Sequence, residues 1–174
     1  KLFCNFSINY SSKVKNKFMK NILFLLIIIF LTSCSAKAQD ASKKYKIVKT
    51  EAQWKKELTN KQYYILRESG TERPFSSAIN KNAKTGVFVC AACKTPLYAS
   101  QYKFDSGTGW PSFDRAIAEN VALDVDYKIG YARTELKCNT CGGHLGHAFD
   151  DGPIKTTGKR HCINGDALEF VAKK

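Results

Sequence analysis

The chain has 174 residues, enough for one globular domain with a real core, and one domain is the default expectation. Its 28 lysines and arginines against 15 acidic residues give a formal charge of +13, yet five basic residues and no acidic ones precede Cys34, so the remainder carries +8. That charge is spread along the chain instead of forming an aromatic-interleaved stripe, which argues against a nucleic-acid partner.

Residues 1–18 precede the chain's one methionine, Met19, and are expected to be an upstream extension. Residues 19–33 contain Lys20, an apolar run from Ile22 to Leu31 and then small polar residues. This is the order of a secretory leader, and the run is too short to span a bilayer comfortably. The ending LTSC resembles a bacterial lipobox, in which cleavage precedes a cysteine that is then lipidated, here Cys34; a plain signal cut after SAKA is the alternative. The expected location is the bacterial cell envelope, as an exported lipoprotein facing the periplasm and anchored to the membrane by lipid. Residues 34–46 lack aromatics before Tyr45 and read as a flexible tether, with the folded domain over 47–174.

Thr50 and Thr59 are each followed three residues later by glutamine, Gln53 and Gln62, which is the capping-box arrangement. Two short helices are expected, the second stopped near Gly70. After Gly86 the pattern changes to short β-type runs separated by glycine and proline: GVFVC, TPLYAS, ENVALDVDY, IGYARTELKC, HLGHAFD, KRHCIN and ALEFVAK. The expected class is a small, mainly antiparallel β domain with helices in front. No repeat of fixed period is present, which removes propellers and solenoids.

Cys90 and Cys93, and again Cys138 and Cys141, stand two residues apart. Each spacing lets a tight knuckle aim two sulfurs at one point, and two knuckles complete a tetrahedral thiolate cage suited to one structural zinc ion. The 44 intervening residues mean that the metal would staple distant segments. Two disulfides or a pair of redox dithiols are the alternatives. Four thiolates leave no open coordination position, so the metal is expected to hold the fold without performing chemistry.

In RHCIN, strand alternation turns Arg160, Cys162 and Asn164 to one face. An arginine at that offset favours a thiolate, and a carboxamide can orient whatever binds there. The cationic flank of Lys159, Arg160 and His161 is expected to make Cys162 a nucleophile instead of inert core filler. His144 and His147 of HLGH follow the second knuckle and are candidate proton donors; hydrogen-bonded structural histidines are the alternative. In FDSGTGWPSF, Gly107, Gly109 and Pro111 fix a turn that can present Trp110 to an apolar ligand group, although a tryptophan taken alone is more often core.

TERPFS, FDSGTGWPSF, CGGHLGHAFDDGP, TGKRHCIN and ALEF, in that order with the paired knuckles, resemble methionine sulfoxide reductase of the B type over Lys49 to Phe170. The resemblance implies two antiparallel sheets forming a small barrel-like, zinc-stapled domain. It also implies reduction of the R epimer of methionine sulfoxide, in proteins or free. Cys162 matches the family's catalytic cysteine. His144, His147, Arg160 and Asn164 match residues that bind or polarise the sulfoxide and activate the thiol, and Trp110 matches the aromatic that receives the methyl group.

Many members of that family carry a resolving cysteine in the turn before Gly-Trp-Pro, where this chain has Thr108. The expected enzyme, taken as a monomer, therefore has one reactive cysteine, whose sulfenic acid is reduced by an external thiol, either a thioredoxin-like protein or a small thiol. An unlipidated Cys34 acting as a remote resolving thiol is the minor alternative. Rival functions are a zinc-knuckle binding module, a thiol oxidoreductase using one CxxC pair, and a structural envelope lipoprotein. The last leaves RHCIN and HLGH unexplained.

Overall fold

The computed structural model describes residues 45–173. The extension, the leader, Cys34 and most of the tether lie outside the described residues. Both capping boxes form. Thr50 and Thr59 each accept a hydrogen bond from the glutamine backbone three residues on, and each glutamine side chain accepts from the threonine N–H. They open helices α1 (Glu51–Glu57) and α2 (Asn60–Glu68). Helix α2 stops where Ser69 turns left-handed, with the Gly70 N–H bonded to the Tyr64 carbonyl.

The strands are β1 (Gly86–Cys90), β2 (Pro96–Ala99), β3 (Lys103–Phe104), β4 (Ser112–Phe113), β5 (Val121–Asp126), β6 (Arg133–Cys138), β7 (His144–Phe149), β8 (Arg160–Ile163) and β9 (Leu168–Ala172). Each of the seven expected runs contains one of them. The two-residue strands β3 and β4 escape the pattern because alternation cannot be read over two positions. One sheet has the order β2-β1-β9 and the other β3-β4-β8-β7-β6-β5, with antiparallel pairing throughout.

Apolar residues from both sheets and both helices meet in one core that includes Trp54, Ile65, Leu66, Phe88, Leu97, Phe113, Leu136, Leu145 and Ile163. Phe113 stacks on Tyr98 at 4.3 Å and meets Phe88 edge-on at 5.2 Å. Helix α2 is also tied to the second knuckle, because Arg67 Nη1 donates to the Cys141 carbonyl at 3.1 Å.

Register in the large sheet carries the functional consequence. Ser112 pairs with Cys162, Cys162 with His147, and His147 with Glu135. Directly paired residues of antiparallel strands share a face, so these four side chains form a row across the sheet. The β6–β7 register shifts between Leu136 and Lys137: Leu136 faces Gly146, while Lys137 faces His144. Leu145 is the extra residue of this bulge. Residues three apart on a regular strand point to opposite faces; the bulge brings His144 back to the face of His147. Gly146 permits the close packing, since a Cβ there would lie 1.9 Å from the Cys162 carbonyl oxygen.

Candidate active site

The two knuckles fold alike. The N–H of Lys94 bonds to the Cys90 carbonyl and the N–H of Gly142 to the Cys138 carbonyl, both at 2.8 Å. Lys94 and Gly142 are both left-handed, with φ of 60° and 74°. The four sulfurs lie within 4.8 Å of one another, with Cys90 to Cys141 at 3.8 Å and Cys93 to Cys138 at 3.5 Å. Tetrahedral zinc with bonds of about 2.3 Å separates its sulfurs by about 3.8 Å, so the cage has the right size. Hydrogen bonding with Cys138 pulls Cys93 far down and pushes Cys90 far up, the behaviour of sulfurs crowded round one point. None of the four forms a disulfide. The cluster can hold one zinc ion.

Cys162, His147, Trp110 and Asn164 line one cleft of about 160 Å³, together with Thr71, Arg133, Gly146 and Phe149. His144 and Arg160 are not part of this lining. His144 is 2% exposed. Its ring lies 5.3 Å from that of His147, and its Nδ1 is 2.6 Å from Glu135 Oε1. Its Nε2 is buried without a hydrogen-bond partner among the described residues. His147 Nε2 lies 2.9 Å from Asp126 Oδ2. Both carboxyls sit below the ordinary carboxylate range. For Asp126 the leading cause is the Lys128 backbone N–H, followed against burial by His147 and Arg133. For Glu135 burial pushes upward, but hydrogen bonds from His144 and Lys137 outweigh it. Each carboxylate therefore accepts from an imidazole N–H, which fixes the tautomer when the ring is neutral. Burial draws the His147 pKa below its ordinary value despite the support of Asp126.

Arg160 shares the Cys162 face of β8 and its own geometry is locked. Its Nε and Nη2 donate to Asp151 at 2.8 and 2.9 Å, and its guanidinium stacks over Phe149 at 4.5 Å. Burial pushes the Cys162 thiol up, while Arg160 and the Thr108 hydroxyl pull it down without cancelling the burial. The sequence expectation of a thiolate created by a basic flank is thus corrected. Lys159 is paired with Asp150, and His161 lies on the opposite face of β8, where Tyr98 packs against it edge-on. Of that flank only Arg160 acts on the sulfur.

Asn164 spends its carboxamide on the protein, accepting from the Glu72 N–H at 3.0 Å and donating to the Leu145 carbonyl at 3.0 Å. One of its N–H bonds and one oxygen lone pair remain for a ligand. Trp110, half-buried, donates Nε1–H to the Glu72 carbonyl at 3.2 Å. The remaining contributors were not singled out from the sequence: Thr71, Glu72, Asp126, Arg133, Glu135, Phe149 and Asp151. The acidic partners come from strands and loops whose pairing with HLGH and RHCIN follows from sheet register. Glu135 is brought to the site by its register with His147, which the sequence around it does not show.

The cleft can accommodate one unbranched side chain with a polar head. It offers an aromatic wall, a nucleophile, an imidazole and a guanidinium. The sequence profile of the SelR domain matches residues 58–172. A peptide methionine sulfoxide reductase MsrB of Leptospira interrogans is 49% identical over 127 residues, covering 72% of this chain and 96% of its own. A peptide methionine sulfoxide reductase MsrB of Methanosarcina barkeri is 50% identical over 129 residues, covering 74% and 90%. The chloroplastic peptide methionine sulfoxide reductase B1 of Arabidopsis thaliana is 47% identical over 135 residues, covering 77% and 66%.

Proposed function

The chain belongs to the SelR-domain family of B-type methionine sulfoxide reductases, and from that premise we propose that Cys162 is the nucleophile that removes the sulfoxide oxygen. The protein is an oxidoreductase that reduces methionine sulfoxide in proteins. The observation that carries the proposal is the register pair Cys162–His147, both side chains lining the cleft walled by Trp110.

A sulfoxide sulfur is a weak electrophile, so attack succeeds only as its oxygen takes up a proton. The Cys162 sulfur attacks the sulfoxide sulfur and an S–S bond forms, while the oxygen takes one proton from His147 and one from the thiol and leaves as water when the S–O bond breaks. Water then attacks the Cys162 sulfur, the S–S bond breaks, and the surplus proton returns to His147. The substrate sulfur gains two electrons and leaves as methionine, while Cys162 loses two and becomes a sulfenic acid. His147 supplies the proton; burial, which weakens its hold on that proton, makes its charged form a better acid. His144, held by Glu135 behind it, fixes the His147 ring and the local charge. Arg160 stabilises the thiolate, and Arg133 brings positive charge to the oxygen. Trp110 and Phe149 receive the methyl end, and this division of the cleft selects the R epimer.

Thr108 cannot attack a sulfenic acid. An external thiol therefore forms a mixed disulfide with Cys162 and releases water, and a second thiol restores the enzyme. Zinc on Cys90, Cys93, Cys138 and Cys141 would supply a cross-link and no chemistry. The leader and LTSC of residues 19–34 support a place in the cell envelope, lipid-anchored through Cys34, with oxidised envelope proteins as substrates.

The test is turnover of separated R and S epimers of a methionine sulfoxide peptide with dithiothreitol, by the zinc-loaded chain and by Cys162→Ser. Reduction of R alone, lost in the variant, is the expected result. Turnover that survives in Cys162→Ser would sink the assignment of the nucleophile.

A further inference from the structure

The segment TERPFS is unused by the chemistry above, yet its second residue touches both walls of the cleft. The Glu72 carbonyl accepts the Trp110 indole N–H at 3.2 Å, and the Glu72 N–H donates to Asn164 Oδ1 at 3.0 Å. Its carboxylate then grips the chain just beyond β8, accepting the Gly165 N–H on Oε1 at 2.7 Å and the Asp166 N–H on Oε2 at 3.0 Å. Asn164 passes the connection to β7 through its bond to the Leu145 carbonyl, beside both histidines. One residue thus joins the aromatic wall to the polar wall. The preceding residue, Thr71, lines the cleft itself.

Each bond has a reason to matter. The indole of Trp110 makes no other hydrogen bond among the described residues, so the Glu72 carbonyl alone fixes the ring's edge. The Glu72 backbone can hold that position only while its side chain is anchored. Two charge-assisted bonds to consecutive N–H groups provide a stiff anchor, stronger than neutral bonds at the same places. The epimers of a sulfoxide differ in which side of the sulfur bears oxygen. A cleft tells them apart only if its apolar and polar walls keep a fixed separation, because a loose pair of walls would accept either hand.

We propose that Glu72 is a positioning residue, a clamp that sets the spacing of Trp110 and Asn164 and thereby the enzyme's preference for one sulfoxide epimer. The proposal rests on the assignment of the cleft as the sulfoxide site. Glu72 touches neither the sulfur nor the thiol, so it governs the binding and handedness of the substrate and leaves the reactivity of Cys162 alone.

The test compares Glu72→Ala and Glu72→Gln with the native chain, all zinc-loaded. Three readouts are taken: KM and kcat for both epimers of a methionine sulfoxide peptide, iodoacetamide alkylation of Cys162 followed by peptide mass spectrometry, and fluorine NMR of 5-fluorotryptophan at the chain's two tryptophans. Glu72→Ala should raise KM for the R epimer about tenfold, reduce the preference for R over S by a similar factor, and leave the alkylation rate unchanged. The Trp110 resonance should shift and broaden while that of Trp54 stays in place. Glu72→Gln retains one acceptor and should fall between native and alanine in KM. Unchanged KM and epimer preference in folded Glu72→Ala would overturn the proposal. If the alanine variant does not fold, a folded Glu72→Gln with native KM and an unmoved Trp110 resonance overturns it equally. A fall in kcat that tracks slower alkylation also overturns it, since the residue would then act on the thiol. The NMR arm needs no turnover, so failure of the clamp is distinguishable from failure of the reductase reading.

Discussion

His144 and His147 share one face of β7, with ring centres 5.3 Å apart, because Leu145 is an extra residue in the bulge opposite Leu136 and Lys137. Each ring is backed by a different carboxylate, Glu135 or Asp126, and only His147 reaches the cleft. The pair is therefore asymmetric: one imidazole faces the substrate and the other supports it from within the sheet.

Asp126→Asn should separate orientation from charge. The carboxylate raises the His147 pKa against the larger effect of burial, so its loss lowers that pKa further. The sign follows: the protonated form becomes scarcer at neutral pH, and the limb of the kcat profile that needs His147 charged moves to lower pH. The expected loss is about 10- to 100-fold in kcat at neutral pH and smaller on the acid side, read from a pH series. An unshifted limb would mean that His147 is not the proton donor.

Burial holds the Cys162 thiol above its ordinary pKa with Arg160 pulling against it, so Arg160→Met should raise it further. In the native chain, alkylation of Cys162 by iodoacetamide should still be climbing as pH passes 9. In the variant the curve should move to higher pH, with slower alkylation at neutral pH. Superimposable curves would remove Arg160 from thiol activation.

Thr108 stands within reach of the sulfur, on a turn where Gly107 and Gly109 adopt φ of 72° and 91°. Thr108→Cys should therefore give an internal exit for the sulfenic acid. One turnover without reductant should consume two thiols in the variant and one in the native chain, as counted by thiol titration. An equal count in both would show that the turn cannot bring the two sulfurs together.

The four-sulfur cage predicts one zinc ion per chain by elemental analysis. Cys138→Ser, at the end of β6 in the buried cluster, should lose the metal and lower the melting temperature by about 10 °C or more. Chelation of the native chain should have the same effect. A metal-free chain that melts at the native temperature would remove the structural role.

Much of this was legible in the residues. The capping boxes at Thr50 and Thr59 are local hydrogen-bond patterns and appear where the sequence puts them. The knuckles are legible for the same reason, since spacing and chemistry sit within four residues. What stayed hidden is non-local. The bulge at Leu145 depends on pairing with β6, so HLGH alone cannot tell whether its histidines share a face. Asp126, Glu135 and Asp151 look like ordinary surface acids until register or loop closure brings them to His147, His144 and Arg160. The expected thiolate failed for a related reason: proximity in sequence placed Lys159 and His161 near Cys162, while alternation and the pairing of Lys159 with Asp150 sent their charge elsewhere.

With one ion gripping all four sulfurs, the chain from Cys90 to Cys141 becomes a closed ring and the remainder two tails. Trp110, Asp126 and Arg133 ride on the ring, whereas Cys162 and His147 arrive on the tail that follows it. The turn around Tyr127, Ile129 and Tyr131 is the ring's exposed outer bend, with those side chains 51% to 69% accessible. A single protease cut there would open the polypeptide without releasing either piece, because the metal and the paired strands still bridge them. The clipped molecule should sediment as one body until a chelator and denaturant are added, and the site should survive a break that severs the chain between its two halves.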